Sequence, residues 1–252
     1  MSARRLRIVV VGGGRIGRHL VPALHAAGHD CLLATPRTGV DACSGAGLPG
    51  ALAGADAVVD VTNSPFMDEV SATAFFEAAT ANLLDVGARA GVRHHVLTGV
   101  LGAERMPGLG YCRAKLAQER LVRASATPWT IVRSTHTFEF LEVLVQVNTE
   151  EHTVRLPPLR LRPLTAADLA AELAGVAARP GRGRTVEVAG PQEITLDELA
   201  RRTARHDGTR LDVVTQPSAR PFFGAQVGDR ALLPGPDARH TATGPATWLA
   251  GR

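Results

Sequence analysis

Aromatic residues are scarce in this chain: seven phenylalanines, two tryptophans and one tyrosine make up 4% of its 252 residues. The formal charge is +4, but the arginines are spread along the chain with almost no aromatic residue among them. A nucleic-acid-binding protein concentrates its basic residues in a patch or stripe, so the sequence indicates no nucleic-acid partner. A polyanionic small molecule accounts for the positive charge equally well.

Cysteine is also rare, with three residues, none of them in a CxxC pair or in a Cys/His cluster with metal-ligand spacing. The sequence therefore indicates no bound metal and predicts a reduced, cytoplasmic chain. Long hydrophobic runs are missing as well. The apolar run at residues 8–11 leads directly into glycines and is too short for a secretory signal or a bilayer span, so we expect no membrane partner.

What the chain does contain is an alternation of β-branched runs and helical patterns. Residues 7–11 form a continuous apolar run, as a strand buried on both faces of a parallel sheet requires, and a helical pattern follows at 15–27. The same order then repeats, with predicted strands at 31–34, 57–61, 92–98 and 129–133 and predicted helices at 68–90 and 111–124. This alternation predicts an α/β fold with a Rossmann-type, doubly wound parallel sheet.

The rhythm changes after about residue 136. The sequence there predicts a helix at 138–147, a proline-containing segment at 156–163, a helix opening at Thr165, a strand at 185–188, and a helix from Thr195 whose Glu198 would complete a capping box. Residues 215–245 are rich in glycine and proline and are predicted to be irregular. We expect one structural domain overall, with a nucleotide-binding core at 1–136 and a small substrate-binding lobe at 137–252 packed on it.

The turn after the first strand carries a glycine fingerprint, residues 12–17, with the sequence GGGRIG. Gly12 would allow the tight turn, Gly14 would let the backbone approach a pyrophosphate, and Gly17 would let the helix pack close to the sheet. Arg15 and Ile16 open that helix, whose free N–H groups suit an anion. The alternative is a glycine-rich turn without a ligand, but its placement between a strand and a helix favours a nucleotide site.

The end of the second predicted strand indicates which nucleotide is bound. An Asp or Glu about twenty residues beyond the fingerprint would accept the ribose hydroxyls of NAD, whereas this chain has Thr35, Pro36 and Arg37 there. Arg37 and Arg15 are suited to hold a 2′-phosphate through charge-assisted hydrogen bonds. NADP(H) is therefore preferred over NAD(H), the alternative being that both arginines are simply solvated.

Three residues form a candidate catalytic set: Thr98, Tyr111 and Lys115. Tyr111 is the only tyrosine, and Lys115, four residues further on, shares its helical face. A phenol, with an ordinary pKa of about 10, is a poor acid or base at neutral pH, but a neighbouring ammonium lowers that pKa. Thr98 ends a predicted strand, where open α/β sheets bind ligands. The alternative is an ordinary amphipathic helix with a chance YxxxK spacing.

Residues just after the last strand of the core are candidates for a substrate pocket. His136 follows that strand, and Phe138 and Phe140 are predicted to cover the pocket, although aromatic residues at this spacing also suit a core. His94 and His95 have no carboxylate or thiolate partners with metal-ligand spacing, so we expect structural or solvated roles for them.

Together these features resemble the short-chain dehydrogenase/reductase superfamily, whose Ser/Thr, Tyr and Lys catalytic set has the spacing of Thr98, Tyr111 and Lys115. More narrowly, the chain resembles the atypical, NmrA-like branch of NAD(P)-binding proteins. That likeness is carried by GVRHHVLT at 91–98, GYCRAKLAQE at 110–119, WTIVR at 129–133 and VAGP at 188–191. The chain departs from the superfamily in its GxGxxG fingerprint, which is one residue shorter than the usual GxxGxxG, and in Thr98, where serine is commoner.

The resemblance implies further site residues. Val61, Thr62 and Asn63 would border the adenosine half of the cofactor, and Ser134 and His136 would lie near the nicotinamide and the substrate. Homodimer or homotetramer formation is compatible with the resemblance.

The sequence thus predicts an NADPH-dependent oxidoreductase that reduces a carbonyl in a small, largely apolar organic substrate. Tyr111 would donate a proton to the developing alkoxide, Thr98 would hydrogen-bond the same oxygen, and Lys115 would hold the ribose and lower the pKa of Tyr111. Two alternatives stay open: a redox-neutral epimerase or dehydratase of the same fold, and a non-catalytic, NADP-sensing regulator like those NmrA-like proteins that lack the Tyr/Lys pair.

Overall fold

The centre of the fold is a seven-stranded parallel β-sheet flanked by helices. The computed structural model describes residues 4–252. The strands are β1 (Arg7–Val11), β2 (Asp30–Ala34), β3 (Ala57–Asp60), β4 (His94–Val100), β5 (Trp129–Ser134), β6 (Thr149–Glu150), β7 (Thr153–Leu156), β8 (Arg160–Leu161), β9 (Arg184–Ala189), β10 (Ile194–Thr195), β11 (Asp212–Thr215) and β12 (Arg239–His240). The α-helices are α1 (Arg15–Ala26), α2 (Leu48–Leu52), α3 (Glu69–Arg89), α4 (Gly110–Ala124), α5 (Phe138–Val147), α6 (Ala166–Ala177), α7 (Leu196–Asp207) and α8 (Pro245–Ala250).

The strand order of the central sheet, β12-β9-β5-β4-β3-β1-β2, confirms the predicted doubly wound topology. Strand β1 is buried on both faces, and its residues Ile8, Val9 and Val10 are fully buried. From β1 the chain passes to β2 on one side and then returns to β3 on the other, pairing in parallel with both. Crossovers that leave in opposite directions open a crevice at the carboxyl ends of β1 and β3, which is where such sheets bind ligands.

Helix α4 is anchored to the sheet by a buried carboxylate. Glu119 accepts hydrogen bonds from Nε of Arg133 at 2.9 Å and from its Nη2 at 2.8 Å. The side chain of Glu119 fits because Gly99 has no Cβ, which would lie 2.7 Å from Glu119 Oε1. At the start of the helix, Arg113 pairs with Glu69 of α3 at 2.6 Å. These contacts fix the orientation of the helix that carries Tyr111 and Lys115.

The chain divides into two compact units that interleave along the sequence. Among the described residues, the first comprises 4–99, 110–133 and 169–186, and the second comprises 100–109, 134–168 and 187–252. The predicted boundary at 136 falls close to one of these divisions, but α6 groups mostly with the first unit.

The short strands of the second unit are absent from the sequence prediction. Strands β6, β7 and β11 form one small sheet, and β8 and β10 form another. The helix predicted from Thr195 is present as α7, but the predicted capping box is wrong. The Thr195 side chain makes no capping hydrogen bond, and Glu198 pairs with Arg202 and Arg205 instead. The helix predicted to open at Thr165 is present as α6, and Thr165 caps it, since its hydroxyl accepts from the Asp168 N–H at 2.9 Å.

None of the helices within residues 4–252 combines the length and the hydrophobicity that crossing a lipid bilayer requires. Within the same residues, no group of three or more His, Cys, Asp or Glu side chains could hold a metal ion.

Candidate functional site

The glycine fingerprint lies at the crevice between β1 and β3. Gly12 has a φ of +114°, and a Cβ there would lie 2.7 Å from the carbonyl oxygen of Val61. A Cβ on Gly17 would lie 2.0 Å from the carbonyl oxygen of Gly12, so α1 can pack this close only with glycine. Gly14 differs, because a Cβ at that position would meet nothing within 4 Å. The backbone at Gly14 therefore faces open space at the start of α1.

The first turn of α1 has the features of an anion site. Gly14 is its N-cap and supplies no side-chain acceptor, and no acidic residue lies in the first turn. The leading N–H groups of the helix thus keep their hydrogen-bonding capacity and their partial positive charge. Thr35, at the end of β2, packs its methyl group 2.8 Å from the position of a Cβ on Gly13.

The two arginines predicted to hold a 2′-phosphate lie at the start of α1 and just after β2. Arg37 is exposed in the short 3₁₀ turn Pro36–Thr38, and Arg15 is partly buried at the start of α1. Neither guanidinium has a hydrogen-bond or ion-pair partner within residues 4–252. Both are available to an anion.

Tyr111 projects from the first turn of α4 and donates its hydroxyl proton to Oδ1 of Asn63 at 2.5 Å. Its ring packs edge-on against Phe76 of α3, with 5.7 Å between centroids. Burial raises the pKa of Tyr111 above its ordinary value of 10.0. The phenol is therefore protonated at neutral pH. The structure joins Asn63, predicted at the adenosine half of the cofactor, to the predicted catalytic tyrosine.

Lys115 does not reach Tyr111. Its ammonium is buried, donates to Oε1 of Gln118, and lies 4.6 Å from the centroid of the Phe76 ring. No hydrogen bond joins Lys115 to Tyr111 in the part of the chain that the structure describes. The sequence predicts that this ammonium lowers the pKa of Tyr111. The pKa of Tyr111 is raised instead, because burial is the largest influence on it and the ammonium donates to Gln118.

Gln118 links Lys115 to a buried carboxylate. Its amide nitrogen donates to Oδ2 of Asp60 and to Oγ1 of Thr80, both at 3.0 Å. Oδ1 of Asp60 accepts from the backbone N–H and the hydroxyl of Thr62, at 2.9 and 2.7 Å. Burial lowers the pKa of Lys115 to about 8, while the charges of Asp60 and Glu119 oppose that shift. A cation and an anion are thus joined inside the core through one carboxamide.

Thr98 lies near the carboxyl end of β4. Its hydroxyl oxygen is buried and has no hydrogen-bond partner within residues 4–252. Buried hydroxyls are normally paired, so this one is a candidate ligand-binding group.

In the second unit, the three predicted pocket residues separate into two groups. The rings of His136 and Phe140 stack with 5.2 Å between centroids, and Phe222 lies 5.4 Å from His136. Phe138 is instead fully buried and stacks on Trp248 at 4.5 Å, so it belongs to the core of this unit and the prediction that it covers a pocket is wrong. Ser134 ends β5, and its carbonyl accepts from the N–H of Leu101 at 2.9 Å.

Burial of His136 predicts a loss of stability in acid. Burial lowers its pKa from 6.5 to about 4, so below pH 6.5 the unfolded chain binds a proton that the folded chain does not. The unfolding free energy should therefore decrease as the pH is lowered. His136 should contribute about 2 kcal/mol of the decrease between pH 6.5 and about 5.

Urea denaturation of His136→Gln at these two pH values checks this expectation. The variant should lose that part of the decline, whereas His206→Gln, at an exposed position, should keep all of it. An equal decline in both variants would contradict the assignment.

The crevice, the uncapped helix and the tight glycine turn define a Rossmann-type nucleotide-binding fold. Residues 12–177 match the model of a family described as NAD(P)H-binding, and the chain belongs to this family. No curated protein sequence matches the chain.

Three solved structures show the same fold at low sequence identity. A short-chain dehydrogenase/reductase superfamily protein from Agrobacterium tumefaciens with bound NAD is 20% identical, with 97% of this chain and 95% of that one covered and a TM-score of 0.72. The NADPH-dependent quinone oxidoreductase from Escherichia coli, complexed with NADPH, is 19% identical, with coverage of 97% and 99% and a TM-score of 0.71. A nucleoside-diphosphate-sugar epimerase from Staphylococcus aureus is 16% identical, with coverage of 97% and 99% and a TM-score of 0.72.

Sequence reasoning missed Asp60, Phe76, Thr80 and Gln118. Gln118 lies three residues after Lys115, a spacing that places the two on one helical face and could have drawn attention to it. Asp60, a carboxylate that ends an otherwise apolar strand, was a second available signal.

Proposed function

We propose that this protein is an NADPH-dependent reductase that transfers a hydride to the carbonyl carbon of a small, largely apolar substrate, with Tyr111 as the general acid. The observation that carries the proposal is the Tyr111 hydroxyl, which burial keeps protonated and which already donates a hydrogen bond, to Asn63. Hydride addition to a carbonyl carbon leaves an alkoxide, which needs a proton donor. A phenol with a raised pKa supplies its proton only to a strongly basic oxygen such as this developing alkoxide.

The residues at the glycine turn fit the cofactor. The N–H groups of the first turn of α1 would hold the pyrophosphate, and Arg15 and Arg37 would hold the 2′-phosphate. Gly14 leaves the approach to this turn open, because it has no side chain in the free space before the helix. When bound, reduced nicotinamide supplies the hydride.

Residues of the chain then supply the proton and hydrogen-bond the oxygen that receives it. Tyr111 would exchange its acceptor, Asn63, for the substrate oxygen and donate its proton there. Thr98 would give a second hydrogen bond to the same oxygen, using the hydroxyl that lacks a partner among the described residues. Lys115 keeps its ammonium on Gln118 and takes no part in this proton transfer.

The experiment that tests the proposal is titration of the purified protein with NADPH and NADH, followed by NADPH oxidation with a panel of ketones, quinones and enones. Binding with turnover of any member supports a reductase. Binding without turnover across the panel would overturn the reductase in favour of a redox-neutral enzyme or an NADP-sensing regulator.

The 2′-phosphate assignment predicts the effect of Arg37→Asp. Losing one charged hydrogen bond and adding a repulsive carboxylate should weaken NADPH binding by roughly 10- to 100-fold and leave NADH binding nearly unchanged. Arg182→Asp, an equal charge change at an exposed position, should alter neither affinity by more than about twofold. An unchanged NADPH-to-NADH ratio in Arg37→Asp would refute the assignment.

A further inference from the structure

A cavity of about 540 Å³ lies within the second compact unit, apart from the glycine turn and Tyr111. None of its lining residues is among those proposed above for the cofactor or for proton transfer. Helices α5 and α7 form its long walls, and Leu211 and Trp248 contribute to its lining. Its volume falls in the range of sites that bind small organic molecules.

The walls of this cavity are mainly apolar. Helix α5 contributes Leu141 and Val145, one helical turn apart, and α7 contributes Leu199, Ala200 and Ala204. Neighbouring helices ordinarily interlock such side chains, and a gap between them forfeits dispersion contacts that close packing would supply. The unfilled space between these two helices therefore suits a ligand with an apolar body.

The polar end of the cavity carries an excess of negative charge. Glu142 of α5 and Asp207 of α7 both line it, and both accept hydrogen bonds from Arg252. Because the two carboxylates share one guanidinium, these three groups together carry a net charge of −1. The other charged residues in the lining are Glu151 and Arg210, whose opposite charges cancel.

An aromatic face lies beside these carboxylates. The guanidinium of Arg252 is 4.8 Å from the centroid of the Trp248 ring, and the same ring is held in place by stacking on Phe138. An indole face next to carboxylates attracts cations by both its quadrupole and their charge. The Arg252 guanidinium already lies over this ring and Phe138 stacks on it, so a ligand cation is attracted by the net negative charge of Glu142 and Asp207.

We propose that this cavity binds a small organic monocation with an apolar chain or ring, such as an alkylammonium or arylammonium. Its cationic end lies beside Glu142 and Asp207, and its apolar body lies along Leu141, Val145 and Leu199. An anionic ligand of the same shape is disfavoured because it would face the two carboxylates. The inference rests on the second unit alone and does not depend on the proposed reductase activity.

Three probes of equal chain length test the charge preference: octylammonium, octanol and octanoate. Each is titrated by calorimetry into the full-length protein, and by fluorescence into Trp129→Phe, which leaves Trp248 as the sole tryptophan. Octylammonium should bind about tenfold more tightly than octanol and change the Trp248 emission, and octanoate should bind more weakly than octanol. Failure of octylammonium to bind, or equal binding of all three probes, would overturn the proposal.

Paired variants locate the site. Val145→Phe places bulk in the cavity and should weaken octylammonium binding at least about tenfold, because the ring takes up space that the alkyl chain needs. Val143→Phe makes the same change two residues away, at a residue outside the cavity lining, and should leave binding intact. Glu142→Gln should reduce the preference for octylammonium over octanol while octanol binding persists. If Val145→Phe and Val143→Phe bind alike, the ligand lies elsewhere.

Discussion

Replacing Tyr111 with phenylalanine is expected to lower the turnover of any reducible substrate by roughly 10²- to 10⁴-fold, the range that a positioned general acid contributes. The variant removes the hydroxyl and its hydrogen bond to Asn63 but keeps the ring that packs on Phe76. Because Tyr111 is not among the groups proposed to hold the pyrophosphate or the 2′-phosphate, NADPH affinity should stay within about threefold of the parent value. Steady-state kinetics and cofactor titration measure the two quantities separately.

Thr98→Val is the companion variant. It replaces a hydroxyl with a methyl group of similar size and should lower turnover by roughly 10- to 10³-fold, as loss of one hydrogen bond to the developing alkoxide would. If Tyr111→Phe turns over at the parent rate, the proton comes from another group and the catalytic assignment is wrong. If Tyr111→Phe loses NADPH binding as well as turnover, Tyr111 acts in cofactor binding.

The parts of the fold that sequence predicts well are those governed by local rules. The apolar run of β1, the turn at Gly12 and the start of α1 are consecutive, and each is specified by residues within a few positions of itself. The doubly wound sheet follows because strands and helices alternate along the chain. The sequence does not predict the short strands β6, β8 and β10, because a strand of two residues has no detectable periodicity. Such strands also form only where a partner strand is available.

Prediction of the site from sequence is limited in the same way. Tyr111 and Lys115 share a helical face, as their spacing predicts, yet their functional groups have different partners. Those partners are Asn63, in the loop after β3, and Gln118 with Asp60. The packing of α3 and α4 on the sheet fixes them, and the spacing of residues within one helix gives no information about that packing. Phe138 is a similar case, because helical spacing cannot tell a core aromatic residue from one that lines a pocket.

The buried network around Gln118 gives the largest stability effect that we expect. Gln118→Met keeps the size of the side chain but removes the carboxamide between the Lys115 ammonium and the Asp60 carboxylate. Breaking a buried charged network typically costs about 3–5 kcal/mol, and we expect the unfolding free energy to fall by about 3 kcal/mol at pH 7. Gln192→Met, the same substitution at an exposed position, should cost less than about 0.5 kcal/mol. Urea denaturation measures both.

A double-mutant cycle separates loss of the network from simple repacking. In Lys115→Met the buried ammonium is gone, so adding Gln118→Met should cost less than it does in the parent chain, by roughly 1–3 kcal/mol. The pH dependence is a second readout: burial holds the pKa of Lys115 at about 8 against an ordinary 10.5, so the unfolded chain binds more protons between these pH values. Stability should therefore rise across that interval in the parent and lose this rise in Lys115→Met, by about 3 kcal/mol at most. Additive costs in the cycle would mean that Gln118 and Lys115 act independently, and an unchanged pH profile in Lys115→Met would mean that burial does not lower the pKa of Lys115.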